Sequence, residues 1–153
     1  MSEISKVIVF QLKNQQYGVD IQQIRSIEKL QNITQVPNTS DFIKGVINLR
    51  GEVIAIIDLR ERLNISVTDI TDQTRILIVS VNGVQIGLIV DSATDVLDVN
   101  PASIDPSPEI VGDIDVTFVK GVAKLENKLL ILLDLARVLS FQEIDEVKEV
   151  IEE

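Results

Sequence analysis

No cysteine, histidine or tryptophan occurs among the 153 residues, and methionine and tyrosine occur once each. Without thiol or imidazole there is no Cys or Ser-His-Asp nucleophile, no Cys/His zinc site, no histidine phosphotransfer and no disulfide framework. Carboxylate, Lys, Tyr or hydroxyl chemistry is all that stays open. Long apolar runs are missing too. None approaches the ~18 residues of a membrane span, and Met1-Ser2-Glu3-Ile4-Ser5-Lys6 opens no signal peptide, so we read a soluble cytoplasmic protein with no direct membrane insertion. Basic residues are scarce, 14 Lys and Arg against 24 Asp and Glu for a net charge of -10. That excludes the basic face with which a nucleic-acid binder neutralises phosphates. The imbalance is local, since residues 1–65 carry 8 basic and 7 acidic side chains and residues 66–153 carry 6 and 17. Two halves with such different surfaces point to different partners.

What is abundant is β-branched and aliphatic: hydrophobic residues make up 45% of the chain. They come in short bursts, Val7 to Leu12, Tyr17 to Ile21, Val53 to Ile57, Arg75 to Val81, Val84 to Val90, Thr117 to Val122 and Leu129 to Leu133. This pattern predicts a mainly β protein. Asn82-Gly83 predicts a tight hairpin and Asn127-Lys128 a weaker one. Short helices are expected over residues 58–63 and 134–139, each opened by an Asp able to cap free backbone N–H groups, and Thr39 or Ser40 is a candidate cap for a turn around Phe42. At the C-terminus Ile144, Val147 and Ile151 recur at helical spacing among six acids, so residues 141–153 read as an amphipathic helix or a weakly held acidic tail.

The chain also repeats itself. At an offset of 76, residues 42–63 match 118–139 with eight identities in 22 positions, among them Phe42, Lys44, Gly45, Val46, Leu49, Asp58, Leu59 and Leu63. At an offset of 69, residues 8–21 match 77–90 more loosely. We read one domain over residues 1–153 with pseudo-repeat halves 7–65 and 75–140, housed as two small barrels sharing a core, because closure hides strand edges. The repeat serves as an internal control. Gly45 and Gly121 occur in both copies, so positive φ or close backbone approach explains them. Arg50-Gly51 faces Glu126-Asn127, of opposite charge, so the shared fold does not demand an arginine there. Glu28 is the first candidate for a structural partner of Arg50. The acids Asp91, Asp95, Asp98, Asp105, Glu109, Asp113 and Asp115 follow no calcium-loop spacing, and with Pro101, Pro106 and Pro108 among them they read as solvated carboxylates in an irregular connection. No phosphate-loop motif is present, so no metal and no cofactor is expected.

Phe42 to Gly51 followed by Ile56-Ile57-Asp58-Leu59-Arg60, with Tyr17-Gly18-Val19-Asp20-Ile21 upstream and Gly87 to Asp91 and Asp95-Val96-Leu97 downstream, resembles the CheW-like family of chemotaxis coupling proteins. The resemblance spans roughly residues 6–140. It implies two five-stranded SH3-like β-barrels, no catalytic activity, and an adaptor that bridges the cytoplasmic tips of methyl-accepting chemoreceptors to the regulatory domain of the histidine kinase CheA in membrane-associated arrays. Carried across by motif, Arg50, Val96, Val36 and Ile27 fall on the receptor-binding face, in a groove between barrels. Ile24 and Gly45 fall where the family binds the kinase. Two other readings stay open, a CheW-like module of another signalling protein and a barrel-fold hydrolase working with paired carboxylates.

Overall fold

Alternating and β-branched segments become strands because a pleated surface lets one set of side chains face a core while the other faces solvent. The computed structural model describes residues 5–37, 41–65, 69–81, 83–105, 118–125, 128–138 and 141–152. Within them run β1 (Ser5–Leu12), β2 (Gln15–Asp20), β3 (Ile24–Lys29), β4 (Ile43–Leu49), β5 (Glu52–Asp58), α1 (Leu59–Arg62), β6 (Arg75–Val81) and β7 (Val84–Val90). They continue with β8 (Ser92–Val99), β9 (Ile104–Asp105), β10 (Val119–Lys124), β11 (Leu129–Leu133), α2 (Leu135–Val138) and α3 (Phe141–Glu152). The strands divide into a sheet of order β8-β1-β2-β11-β10-β9, here barrel I, and a sheet of order β3-β6-β7-β5-β4, barrel II. The mainly β architecture of two small barrels expected from the sequence is the one observed. Each sheet is closed by the chain that leaves its first strand. After β3, Thr34 pairs with Val46 of β4, and after β8, β9 pairs with β10.

The barrels do not follow the repeats. The hairpin β1–β2 of the first copy joins β10–β11 of the second through a parallel β2–β11 contact, while β6–β7 joins β4–β5 through a parallel β7–β5 contact. Each barrel therefore contains half of each repeat, and the chain crosses between barrels at Ile21–Gln23, a 3-10 turn, and again at Asp91. Bulges recur at equivalent places. Registers slip between Ile24 and Ser26 in β3 and across Thr94 in β8, and again around Lys44 in β4 and Lys120 in β10.

Three apolar clusters result. Val7, Val9, Val99, Ala123, Leu130 and Leu132 fill barrel I, and Ile47, Ile54, Ile56, Ile76, Ile78 and Ile89 fill barrel II. A larger shared core lies between them and takes in Phe10, Leu12, Tyr17, Ile57, Leu77 and Leu133 among others. Burial there pushes the Tyr17 hydroxyl up to about 12.

Four details differ from the sequence reading. The short helices are single turns, Leu59–Arg62 and Leu135–Val138, capped as expected: Asp58 Oδ1 accepts from the Arg60 and Glu61 N–H groups, and Asp134 Oδ1 from that of Ala136. In the hairpin joining β10 and β11 the closing pair is Leu125 and Lys128, one residue earlier than Asn127-Lys128 suggested. Asp91, Asp95 and Asp98 do not sit in an irregular connection; Asp95 and Asp98 lie in edge strand β8 and Asp91 immediately precedes it. The C-terminal segment is not a loosely held tail, because α3 places Ile144 and Val147 in the shared core and packs against β4 and β5. The capping candidates Thr39 and Ser40, the turn residues Asn82, Glu126 and Asn127, Pro106 and Pro108, and the acids Glu109, Asp113 and Asp115 lie outside the described residues.

Candidate functional site

Arg50 owes its position to the turn joining β4 and β5. Leu49 pairs with Glu52, leaving Arg50 and Gly51 as the only two connecting residues, at φ of 52° and 89°. Two successive positive φ values match the right-handed twist of a hairpin, and Gly51 is the residue that takes this at no steric cost. The Asn48 side-chain oxygen accepts the Gly51 N–H at 2.9 Å and ties the turn down. A left-handed conformation is uncommon for arginine. It holds the side chain out from the sheet, 73% exposed, with Nη2 donating to Glu28 Oε2 at 3.4 Å.

Glu28 is 15% exposed, an unusual depth for a carboxylate. It lies on β3, one edge of the barrel II sheet, whereas Arg50 follows β4, the other edge, so their contact spans the seam where the barrel closes. The equivalent of Glu28 in barrel I is Leu97, partly buried in that barrel's core. The polar pair thus belongs to one barrel only. Glu126, the counterpart of Arg50, lies outside the described residues.

Of the other sequence-predicted residues, Ile27 adjoins Glu28 and is 42% exposed, so it and Arg50 share one corner of barrel II. Val96 is 47% exposed on β8, the edge strand of barrel I. Ile27 and Val96 are equivalent at the offset of 69: Ile27 lies opposite Leu77 and Val96 opposite Ile8, themselves equivalent. The same edge position of both barrels therefore presents a bare aliphatic side chain. Val36 is half-buried against the shared core, as is Ile24 at the start of β3.

Gly45 is buried at a φ of 138°, and a Cβ there would lie 2.1 Å from the Thr34 carbonyl oxygen, so the glycine is what admits the strand Ile33–Thr34 against β4. At Gly121 the corresponding Cβ would meet Ile104 Cγ2 at 2.7 Å and the Asp105 oxygen at 3.0 Å. Close approach is thus common to both copies, and positive φ is a property of Gly45.

The structure also exposes polar residues the sequence reading passed over. Asp91, grouped with the solvated acids, receives a hydrogen bond at 2.8 Å from the buried guanidinium of Arg60, which also pairs with Asp58. The Asp58 hydrogen bond lifts the Arg60 pKa further above its ordinary value, against the desolvation that burial imposes. Arg62 lies over the rings of Phe42 and Phe118, at 5.4 and 5.0 Å from their centroids, and bonds Glu143 of α3 at 3.0 Å. The signal was available. Residues 60 and 62 are arginines where the second copy has Ala136 and Val138, the same kind of contrast that singled out Arg50.

Among the described residues no group of His, Cys, Asp or Glu side chains could hold a metal ion, and no helix is long and apolar enough to cross a membrane. The arrangement offers surfaces: an exposed arginine over a half-sunken carboxylate, flanked by bare aliphatic side chains on paired edge strands.

A model of the CheW-like domain matches residues 6–143. The chain is similar to the chemotaxis protein CheW of Bacillus subtilis, 44% identical over 135 residues that cover 88% of this chain and 86% of that protein. It is similar also to the chemotaxis protein CheW of Klebsiella aerogenes, 34% identical over 136 residues, covering 89% and 82%. Among solved structures, the crystal structure of the scaffolding protein TtCheW from Thermoanaerobacter tengcongensis superposes with a TM-score of 0.85 at 37% identity, covering 92% of this chain and 96% of that one.

Proposed function

The chain belongs to the CheW-like domain family of chemotaxis scaffold proteins, and we propose that it is a noncatalytic adaptor coupling methyl-accepting chemoreceptors to the histidine kinase CheA. In this reading it works in the cytoplasm at membrane-associated receptor arrays and needs no cofactor. The observation that carries the proposal is the Arg50 corner. A cation held outward by a strained turn, beside exposed Ile27 and with Val96 at the matching edge of the second barrel, suits a helical receptor tip laid in the groove between barrels, with apolar contact for affinity and one polar anchor for register. The kinase regulatory domain is assigned the face around Ile24 and the strand that Gly45 admits.

Arg50→Glu separates the two contacts. The position is exposed, so reversing the charge beside Glu28 changes stability by less than ~1 kcal/mol. At a partly desolvated interface the same change leaves the partner's group facing a like charge, which costs about 2 kcal/mol or roughly thirtyfold in receptor-tip affinity. Affinity for the kinase regulatory domain stays within about threefold of the parent value, since Arg50 lies off that face. Titrations with a soluble receptor-tip fragment and with the kinase regulatory domain, alongside a thermal melt, make the test. Unchanged receptor affinity in a well-folded Arg50→Glu protein removes Arg50 from the interface.

A further inference from the structure

α1 and α2 begin alike, with Asp-Leu, and then diverge: Arg60-Glu61-Arg62 in one copy, Ala136-Arg137-Val138 in the other. Arg60 is 2% exposed. A buried guanidinium is tolerated when its donors are met, and here Nε and Nη2 both bond the Asp58 carboxylate, at 3.0 and 2.9 Å, in a two-point fork. That fork fixes the plane of the guanidinium within barrel II and aims Nη1 in one direction, at Asp91 Oδ1, 2.8 Å away.

Asp91 stands where the chain crosses from β7 of barrel II to β8 of barrel I. Its second oxygen, Oδ2, accepts the Lys13 N–H at 2.5 Å, and its own N–H donates to the Gln11 carbonyl at 3.0 Å, both in the β1–β2 hairpin of barrel I. One carboxylate therefore has an oxygen on each barrel. The equivalents of Arg60 and Asp91 are Ala136 and Gln22, so closing a barrel of this kind does not require the pair.

We propose that Arg60 and Asp91 form a clasp that sets the angle between the two barrels, and so the width of the groove in which a receptor tip would lie. They are positioning residues. Apolar packing in the shared core holds the barrels together but is non-directional, whereas a forked guanidinium bridged to a carboxylate fixes one orientation. The proposal rests on the adaptor reading for its consequence, though not for its geometry.

The chain has no cysteine, so Lys29→Cys on β3 and Lys124→Cys on β10, both at exposed positions, accept nitroxide labels that report the inter-barrel distance directly. The labelled parent should give one narrow distance distribution. Asp91→Asn, and Arg60→Lys, which keeps the charge and loses the fork, should each broaden or shift it and lower the Tm, by about 10 °C where a buried charge is left without its partner.

The deciding variant is the apolar pair Arg60→Met/Asp91→Leu, because such replacements commonly restore stability. It should melt near the parent while its distances stay broad and its receptor-tip affinity falls at least fivefold, with kinase-domain affinity within twofold. A parent-like narrow distance in the apolar pair overturns the clasp. If that pair does not fold, Arg60→Lys decides, and a narrow parental distance there overturns it equally. A parent protein that fails to bind the receptor tip at all sinks the adaptor reading, while the distances still decide the clasp.

Discussion

The two barrels share strand order, bulges, caps and turn positions, yet their interiors are filled differently. Ile47, Ile54, Ile56, Ile76, Ile78 and Ile89 of barrel II correspond to Ala123, Leu130, Leu132, Val7, Val9 and Asp20 in barrel I. The smaller set leaves a cavity of about 320 Å³ in barrel I, lined by Val7, Gly18, Asp20, Val99, Ile104 and Lys120 among others. A twofold repeat with one backbone plan has produced one tightly packed barrel and one with slack. The features unique to one copy gather on the tight barrel: the Arg50–Glu28 pair, the two arginines of α1, and α3 packed over β4 and β5. Rigidity is found where the geometry of a surface has to be held.

The largest effect expected to test this contrast comes from α3. Deleting residues 141–153 uncovers the shared core on the barrel II side and exposes the sites of Ile144 and Val147, buried side chains worth about 1.5–3 kcal/mol each. It also takes Glu143 from Arg62, which stacks on Phe42 and Phe118. The expected loss is about 4 kcal/mol, roughly 10 °C in Tm, by thermal or urea melt. A truncated protein that melts within 2 °C or so of the parent, on the scale of the same relation, would mean that α3 is only a cover.

A smaller effect probes packing within the barrels, at the equivalent glycines Gly87 and Gly18. A Cβ at Gly87 would fall 2.5 Å from Ile56 Cδ1 and 2.8 Å from Ile76 Cγ2; at Gly18 the nearest atoms are Leu132 Cδ2 at 3.0 Å and Leu130 Cδ2 at 3.2 Å. Gly87→Ala should therefore cost about 2–3 kcal/mol by overpacking, and Gly18→Ala less than about 1 kcal/mol, because its neighbours can retreat into the cavity. Equal costs in paired melts would break the contrast between tight and slack barrels.

Much of this was legible beforehand, and the pattern of misses has a physical reason. β1, β2, β5, β6, β7, β10 and β11 announce themselves as aliphatic runs because both of their faces are covered. The edge strands β3 (IRSIEK) and β8 (SATDVLDV) do not, since an edge carries polar residues that discourage further pairing. Swapping of hairpins between repeats was invisible, because β2 meets β11 and β7 meets β5 across more than thirty residues of chain, a choice no local pattern encodes. Arg50 was found by contrasting the two copies, and Arg60 and Arg62 lay within reach of the same comparison. Asp91 was not, for its partners come from three separate segments.

The finest discrimination between the barrels is a single methylene exchanged in opposite directions. Val7 and Ile76 are equivalent, both buried, one beside the cavity and the other in the packed isoleucine cluster. Ile76→Val removes a methyl from a site whose neighbours are Ile56, Ile78 and the backbone of Gly87, none with room to follow, so it should cost about 1 kcal/mol. Val7→Ile adds the same group where space already exists. It gains at most ~0.8 kcal/mol of transfer free energy, less whatever side-chain entropy is lost on ordering, so the expected result is neutral to slightly stabilising. Urea titrations of both variants and of the double exchange decide it, since the two sites sit in different clusters and their effects should add. If Val7→Ile instead destabilises as much as Ile76→Val, the space beside Val7 cannot accept a methyl, and both barrels are filled to the same density by different residues.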